Sequence, residues 1–406
     1  MDVQFGNVII NDIANFDSLE AAWDCFNWLK HMRENHPVYY DPNEDVWNVF
    51  LYEDVKRVLH DHTLFTNKKK RSFIPIPRNL NNRSNLNFSD PPEHQKRRAL
   101  LAKAFTPRSL KDWEPRVQAI TDELVDEMEG RREIDIVQSL SIPLPVIVIA
   151  DLLGVPSKDR NIIKKWSDTL FYPYEQGSMD EIRRKKQQAH QEFFQYLYPI
   201  VLEKRHQLTD DIISDLIRAE IDGERLTDEE IVLSSIGLLG AGNETTTQLI
   251  SNCFYCFLID KPSTYKELRE NHDLIPKAIE EVLRYRFFAK MDREIAQDTN
   301  VFGPKMKKGQ AIVAWISAGN RDERQFASPE EFDIYRKGNQ SHLTFGAGPH
   351  FCLGAPLARM EARIALKTFI KRYSKVSIPK TFRLQDHLIK SVSYASLKSF
   401  PLIVEK

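Results

Sequence analysis

A cysteine in a glycine-rich segment is the residue whose surroundings most favour chemistry. Cys352 lies in FGAGPHFCLG, residues 345–354, and an apolar helical pattern begins directly after it. Glycines allow tight turns and close approach of the backbone to another group, and a helix N-terminus favours a thiolate. The residues alone leave three interpretations open: a buried and inert cysteine, a thiolate that binds a cofactor, and a nucleophile activated by His350.

Two segments that contain acids have spacings that suit proton transfer or ion pairing. In AGNETT, residues 241–246, Glu244 and Thr245 lie in the middle of an otherwise apolar helix pattern. A carboxyl group beside a hydroxyl can relay protons, although a polar helix turn at a subunit contact has the same pattern. Glu281 and Arg284, in EEVLRYR, are three residues apart, which is most often a solvated surface pair.

A further segment, DPPEHQKRR at residues 90–98, combines a helix start with basic side chains. Proline is favoured in the first helical turn, so we expect the helix to open at Pro91 or Pro92. His94 and Arg98 are four residues apart and therefore share one helix face. In isolation, this segment is a basic surface turn.

Taken together, these segments resemble the cytochrome P-450 family over nearly the whole chain. Phe345, Gly348, Cys352 and Gly354 reproduce its F-x-x-G-x-x-x-C-x-G signature. AGNETT is similar to its A-G-x-(D/E)-T segment, and EEVLRYR to its E-x-x-R helix. The resemblance implies a mainly α fold with small β-sheets, formed as a single large domain over residues 1–406, with a long central helix over a haem.

The resemblance also implies roles around that haem. Cys352 is expected to be the axial ligand of the iron. Thr245 is expected to donate a hydrogen bond to dioxygen beside a local break in the helix that Gly242 permits, and Glu244 to pass protons inward. The other expected haem contacts are His94, Arg98, Arg293 and His350 at the propionates, with Phe345, Ala241 and Gly242 nearer the ring.

A structural network is implied by the same resemblance. Glu281 and Arg284 are expected to join a further arginine, Arg336 in FDIYR, in a buried charge cluster that braces the cysteine loop. Removing one member of such a cluster would leave the others buried without a partner.

The expected substrate pocket departs from the family pattern at one place. The family often has Ser-Pro shortly after the E-x-x-R helix, whereas this chain has Arg286, Phe287 and Phe288. Bulky aromatic side chains there are expected to narrow the pocket, so substrate preferences of relatives do not transfer. The resemblance and the apolar patterning predict a pocket lined by Phe73, Ile74, Leu238, Phe287, Phe288 and Val392.

The implied function is monooxygenation of an apolar small molecule. The cofactor would be haem b, and the chain contains no convincing flavin, nicotinamide or iron–sulfur fingerprint. Electrons from a ferredoxin or flavodoxin-type protein are therefore expected. A peroxide-driven peroxygenase is the alternative, which the acid–threonine pair disfavours. A non-catalytic haem protein and a cysteine hydrolase rank lower, the latter because no orienting residue is evident near His350.

Composition and charge exclude several other classes of protein. The 406 residues are 42% hydrophobic and 28% charged, with a formal net charge of −1. This is typical of a globular protein and gives no overall attraction to nucleic acid or to anionic membranes. Four cysteines are too few for a disulfide framework and favour a cytoplasmic location. The first residues lack the pattern of a signal peptide or membrane anchor.

The elements that must position these residues are mostly helices. We expect a helical core over 92–286 and 354–372, with β-rich parts near 36–52, 291–315 and 376–406. A helix is also expected over 17–31. The longest helix candidate, 228–260, begins with a capping box of Thr227 and Glu230 and ends before Pro262.

Overall fold

The computed structural model describes residues 13–72, 86–171, 179–391 and 394–406. The chain forms two compact units, each made of two segments. Unit 1 contains residues 1–97 and 280–352, and unit 2 contains residues 98–279 and 353–406. The single domain over 1–406 stays a prediction.

Helices are the main regular elements of the described residues, and the strands are short. The helices are α1 (Leu19–Trp23), α2 (Phe26–Asn35), α3 (Tyr52–His60), α4 (Glu93–Ala102), α5 (Pro107–Asp126), α6 (Pro143–Leu152), α7 (Arg160–Phe171), α8 (Met179–His206), α9 (Ile212–Arg218), α10 (Asp228–Tyr255), α11 (Ser263–Glu270), α12 (Ile275–Tyr285), α13 (Ile316–Gly319) and α14 (Ala355–Arg372). The strands are β1 (Val38–Asp41), β2 (Val46–Val49), β3 (Phe65–Thr66), β4 (Glu133–Asp135), β5 (Glu220–Ile221), β6 (Glu224–Arg225), β7 (Met291–Ile295), β8 (Ala311–Ala314), β9 (Lys375–Ser377), β10 (Leu388–Ser391), β11 (Tyr394–Leu397) and β12 (Pro401–Glu405). The prediction of a mainly α fold with small sheets is confirmed.

Unit 1 is organised around a sheet with the strand order β1-β2-β8-β7-β3. Strands β2 and β8 run parallel, with Trp47 opposite Ile312, and every residue of both is buried. Helix α3 packs against this sheet and contributes Val55 and Val58 to the core. The sheet therefore joins the region before residue 52 to the region after residue 290, which are far apart in the sequence.

Unit 2 is organised around α10, which packs against α6, α8 and α14. The predicted capping box is confirmed: Thr227 accepts a hydrogen bond from the Glu230 amide at 3.2 Å, and Glu230 accepts one from the Thr227 amide at 3.0 Å. Regular α-helix ends at Tyr255, and a wider turn continues to Asp260. Strands β10 and β11 form a hairpin in the same unit.

The helix predicted over 17–31 is wrong in one respect, because the structure has two helices there. Helix α1 ends at Trp23, and α2 begins at Phe26. Asp24 lies between them in a non-helical conformation, and its carboxylate forms a 3.0 Å ion pair with Arg286. The helix break occurs at a residue that contacts a distant part of the chain. Helical periodicity does not predict such a contact.

Within the described parts of the chain, no helix combines the length and the apolar character that crossing a membrane requires.

Candidate active site

The loop that carries Cys352 is closed by backbone hydrogen bonds. The Cys352 amide donates to the Phe345 carbonyl at 2.7 Å. Gly346 and Gly348 have φ angles of 77° and 67°, in the left-handed region that favours glycine. A Cβ atom at Gly348 would lie 2.9 Å from the His60 Cα. The loop therefore needs these glycines to fold back beside α3.

Exposure separates Cys352 from the other cysteines. Cys25, Cys253 and Cys256 are buried, whereas Cys352 is exposed. Burial raises the pKa of the Cys25 thiol to about 12 and also raises the pKa of Cys253. The raised pKa values favour protonated thiols at Cys25 and Cys253, as expected for residues that pack in the core. The Cys352 side chain, in contrast, is accessible to a ligand. The interpretation of Cys352 as a buried, inert residue is wrong.

The expected charge network is present in unit 1. The Arg284 guanidinium binds Glu281 in bidentate fashion, from Nη2 to Oε1 at 2.7 Å and from Nε to Oε2 at 3.0 Å. The Arg336 Nε donates to the same Oε1 at 3.1 Å. The Glu281 and Arg284 side chains are fully buried, so the solvated surface pair that their spacing alone suggests is excluded.

This network reaches the base of the cysteine loop through backbone groups. The Arg284 Nη1 donates to the carbonyl oxygens of Asn320 at 3.0 Å and Pro329 at 2.9 Å. The Asn320 side chain in turn accepts from the Leu343 amide at 2.7 Å and donates to the Thr344 hydroxyl at 2.8 Å. Thr344 precedes Phe345 directly, so the buried charges fix the segment from which the loop starts.

Three of the four expected propionate partners lie in unit 1. The rings of His94 and His350 pack against each other with their centroids 3.9 Å apart and their planes tilted by 37°, and His94 is 1% exposed. Arg293 is buried on β7, and burial lowers the pKa of its guanidinium against the opposing fields of Asp292 and Asp90. Arg98 follows His94 by one turn of α4 and is half-buried.

The structure adds Asn67, which the sequence analysis missed. Its Nδ2 lies 2.9 Å from the Nε2 of His350, and its backbone amide donates to Asp90 at 2.9 Å. Asp90 also accepts a hydrogen bond from Thr66. The expectation that no residue orients His350 is therefore wrong. Asn67 lies in a polar stretch that predicts only a loop, and the contact spans 283 positions of the chain.

The segment that contains Thr245 differs from its expected shape. Helix α10 runs without interruption from Asp228 to Tyr255, so the expected local break at Gly242 is absent. The Thr245 hydroxyl donates to the Ala241 carbonyl at 2.8 Å, a bond that threonine makes within an intact helix. Glycine permits a break but does not enforce one. Ala241 and Thr245 are exposed, so this face of α10 presents small side chains.

Glu244 is a carboxyl group whose pKa is raised towards neutral pH. Burial raises its pKa to about 7, and the Lys186 ammonium on α8 opposes the rise. Burial also lowers the pKa of Lys186. One turn along α10, the Gln248 Nε2 donates to the Glu244 carboxyl at 3.4 Å and to the Ser396 hydroxyl at 2.8 Å.

The predicted pocket residues are described only in part. Leu238 is half-buried on α10, and Phe287 and Phe288 are half-buried after α12. The Phe288 ring packs edge-on against Trp315, with centroids 6.2 Å apart. Phe73, Ile74 and Val392 lie outside the described residues.

Comparison with known proteins decides the family. Residues 9–394 match the profile of the family described as "Cytochrome P-450". The chain belongs to the cytochrome P-450 family. Cytochrome P-450(MEG) of Priestia megaterium is 49% identical over 401 residues, covering 97% of this chain and 98% of that protein.

Other relatives agree in fold and in reaction class. The crystal structure of CYP109E1 from Bacillus megaterium in complex with corticosterone has a TM-score of 0.87 and 43% identity, covering 95% of this chain and 99% of that one. Erythromycin C-12 hydroxylase of Saccharopolyspora erythraea is 36% identical over 360 residues, covering 87% of this chain and 88% of that protein. The protein is thus a P-450 monooxygenase, and the cysteine hydrolase interpretation is wrong.

The side chains of this P-450 fit the haem that its family implies. In unit 1, Cys352 presents an exposed thiol, and the buried His94 and Arg293 with the half-buried His350 are suited to carboxylates. In unit 2, the exposed face of α10 at Ala241 and Thr245 carries side chains small enough for close approach of a flat group.

Asn67→Ala is expected to weaken haem retention, because it removes the group that orients His350. Hydrogen-bond partners of metal-ligating histidines typically contribute about 10-fold or more to metal affinity. On the expectation that His350 binds a propionate, we expect a similar effect, with haem release about 10-fold faster. The measurement is the rate of haem transfer to excess apomyoglobin. Asn35→Ala is the matched control, since Asn35 contacts His31 at 3.1 Å on the exposed face of α2. Equal release rates for the two variants would contradict the role of Asn67.

Proposed function

We propose that this P-450 inserts one oxygen atom of O2 into an apolar small molecule, with electrons from a separate ferredoxin or flavodoxin-type protein. The observation that carries the proposal is the accessible Cys352 thiol, presented by a loop that buried charges brace. The corticosterone bound in CYP109E1 supports an apolar substrate of about that size. We further propose haem b as the cofactor and a cytoplasmic location, which the small number of cysteines supports.

Cys352 would hold the haem iron, and four side chains would hold its propionates. When bound, the haem supplies the activation of O2 and the oxidation of the substrate, and a thiolate ligand favours O–O cleavage. The propionates would accept hydrogen bonds from His94, Arg98, Arg293 and His350, which would also offset their charge. The protein thereby fixes the orientation of the cofactor.

Glu244 and Thr245 move protons in this proposal. A carboxyl group with a pKa of about 7 can both take up and release a proton near neutral pH, which is the condition for efficient general acid–base catalysis. The Thr245 hydroxyl, next in the chain, donates to the Ala241 carbonyl, and its oxygen lone pairs can accept from water. To pass a proton on, the hydroxyl gives up its bond to the Ala241 carbonyl, donates its own proton to the acceptor, and takes a replacement proton that Glu244 supplies through water.

Thr245→Ala tests this role. We expect the amount of product formed per O2 consumed to fall about 10-fold, with hydrogen peroxide released instead, because the proton donor is displaced. The measurement is product and peroxide formed per O2 consumed, with NAD(P)H and a surrogate ferredoxin system. Thr121→Ala is the matched control, since the Thr121 hydroxyl makes the same intrahelical bond, to Val117 at 2.8 Å, within α5. Unchanged coupling in Thr245→Ala would refute the proton role.

A further inference from the structure

The Gln248 side chain connects two groups in unit 2. Its Nε2 donates to Ser396 on β11 at 2.8 Å and, through a longer bond of 3.4 Å, to the Glu244 carboxyl one turn earlier on α10. Gln248 is 9% exposed. A buried amide costs stability unless it is hydrogen-bonded, so these two acceptors fix its orientation.

The two bonds have different consequences for Gln248. The short bond to Ser396 anchors the amide, because hairpin β10–β11 holds Ser396 in register opposite Ile389. The longer bond then directs an N–H group at Glu244. An N–H donor favours the charged form of a carboxyl group, as the field of Lys186 does, while burial favours the neutral form.

We propose that Gln248 is a positioning residue that holds the Glu244 carboxyl in place for proton transfer, and that Ser396 fixes Gln248 for this task. The inference rests on the proton role of Glu244 in the proposed function. The donor to the acid lies on α10 and its anchor lies on the β10–β11 hairpin, so two separate elements of unit 2 position the acid.

The first test measures the carboxyl group itself rather than turnover. Infrared spectra of the haem-loaded protein, recorded against pH, follow the protonated carboxyl band, which Glu244→Gln assigns by removing it. Gln248→Leu is expected to raise the titration midpoint by about half a unit to one unit. Ser396→Ala is expected to raise it less, and Ser396→Thr, which keeps the hydroxyl, is expected to keep the wild-type midpoint.

Gln118→Leu is the matched control. Gln118 makes the same kind of contact on α5, to Asp122 at 2.9 Å and to Thr368 at 2.8 Å. We expect Gln118→Leu to leave the band of Glu244 unchanged, so an equal shift in both variants would overturn the inference. If Gln248→Leu does not fold, the comparison of Ser396→Ala with Ser396→Thr decides, and equal midpoints for those two would overturn it.

The second test separates this inference from the proposed function. We expect Gln248→Leu to lower product per O2 about 3-fold, less than Glu244→Gln, because the acid remains but is misplaced. If Glu244→Gln uncouples the enzyme and Gln248→Leu changes neither midpoint nor coupling, this inference alone fails. If Glu244→Gln keeps full coupling, the proton role of Glu244 fails, and the positioning role fails with it.

Discussion

Cys352→Ser is expected to remove the spectroscopic signature of thiolate ligation. Reduced wild-type protein with carbon monoxide should show the red-shifted Soret band of a haem–thiolate, and the variant should lack it. A serine hydroxyl stays protonated at neutral pH and cannot replace the charge that a thiolate gives to iron. We expect monooxygenation below about 1% of the wild type, since the axial ligand drives O–O cleavage.

The close similarity of serine and cysteine makes this substitution easy to interpret. The exchange replaces only the sulfur atom by oxygen, so a loss of the band with the fold retained reports ligation rather than unfolding. Cys256→Ser is the control, since Cys256 is buried in the turn after α10. It should keep the Soret band while losing about 1 kcal/mol of unfolding free energy. A thiolate-type band in Cys352→Ser would contradict the assigned ligand.

Features that depend on neighbouring residues could be predicted from the sequence. The capping box of α10 needs only Thr227 and Glu230, and the structure has both of its hydrogen bonds. The fixed spacing around Cys352 is likewise a local pattern, because the loop turns at its own glycines. Local rules therefore predicted where the central helix begins and where the cysteine loop lies.

Contacts between distant residues that no family motif implies could not be predicted. Asn67 meets His350 across 283 positions, and Gln248 meets Ser396 across 148. Single side chains of these types are common in loops and helices, so nothing local distinguishes them. The intact helix at Gly242 has a different cause: glycine lowers helix propensity only modestly, and packing of α10 on its neighbours outweighs that preference.

Of the substitutions that we propose in unit 1, Glu281→Gln is expected to lower the free energy of unfolding most. Glu281 accepts from Arg284 twice, from Arg336, and from the Asp333 amide at 3.0 Å. Glutamine has one acceptor oxygen, so some of these N–H donors lose their acceptor. The fully buried Arg284 also loses its only carboxylate partner among the described residues. Breaking a buried pair in this way costs about 3–5 kcal/mol.

The loss of unfolding free energy distinguishes a buried charge network from an exposed ion pair. Asp386→Asn is the control, because Arg383 and Asp386 have the same three-residue spacing and a 3.0 Å contact but are largely exposed. Exposed pairs contribute about 0–1 kcal/mol, so guanidinium unfolding of the haem-loaded proteins should show a clear gap between the variants. Glu281→Gln should also lose its thiolate-type band at lower denaturant than the wild type, since Arg284 reaches the cysteine loop through Asn320. Unfolding midpoints that match the control would mean that the buried charges do not brace the loop.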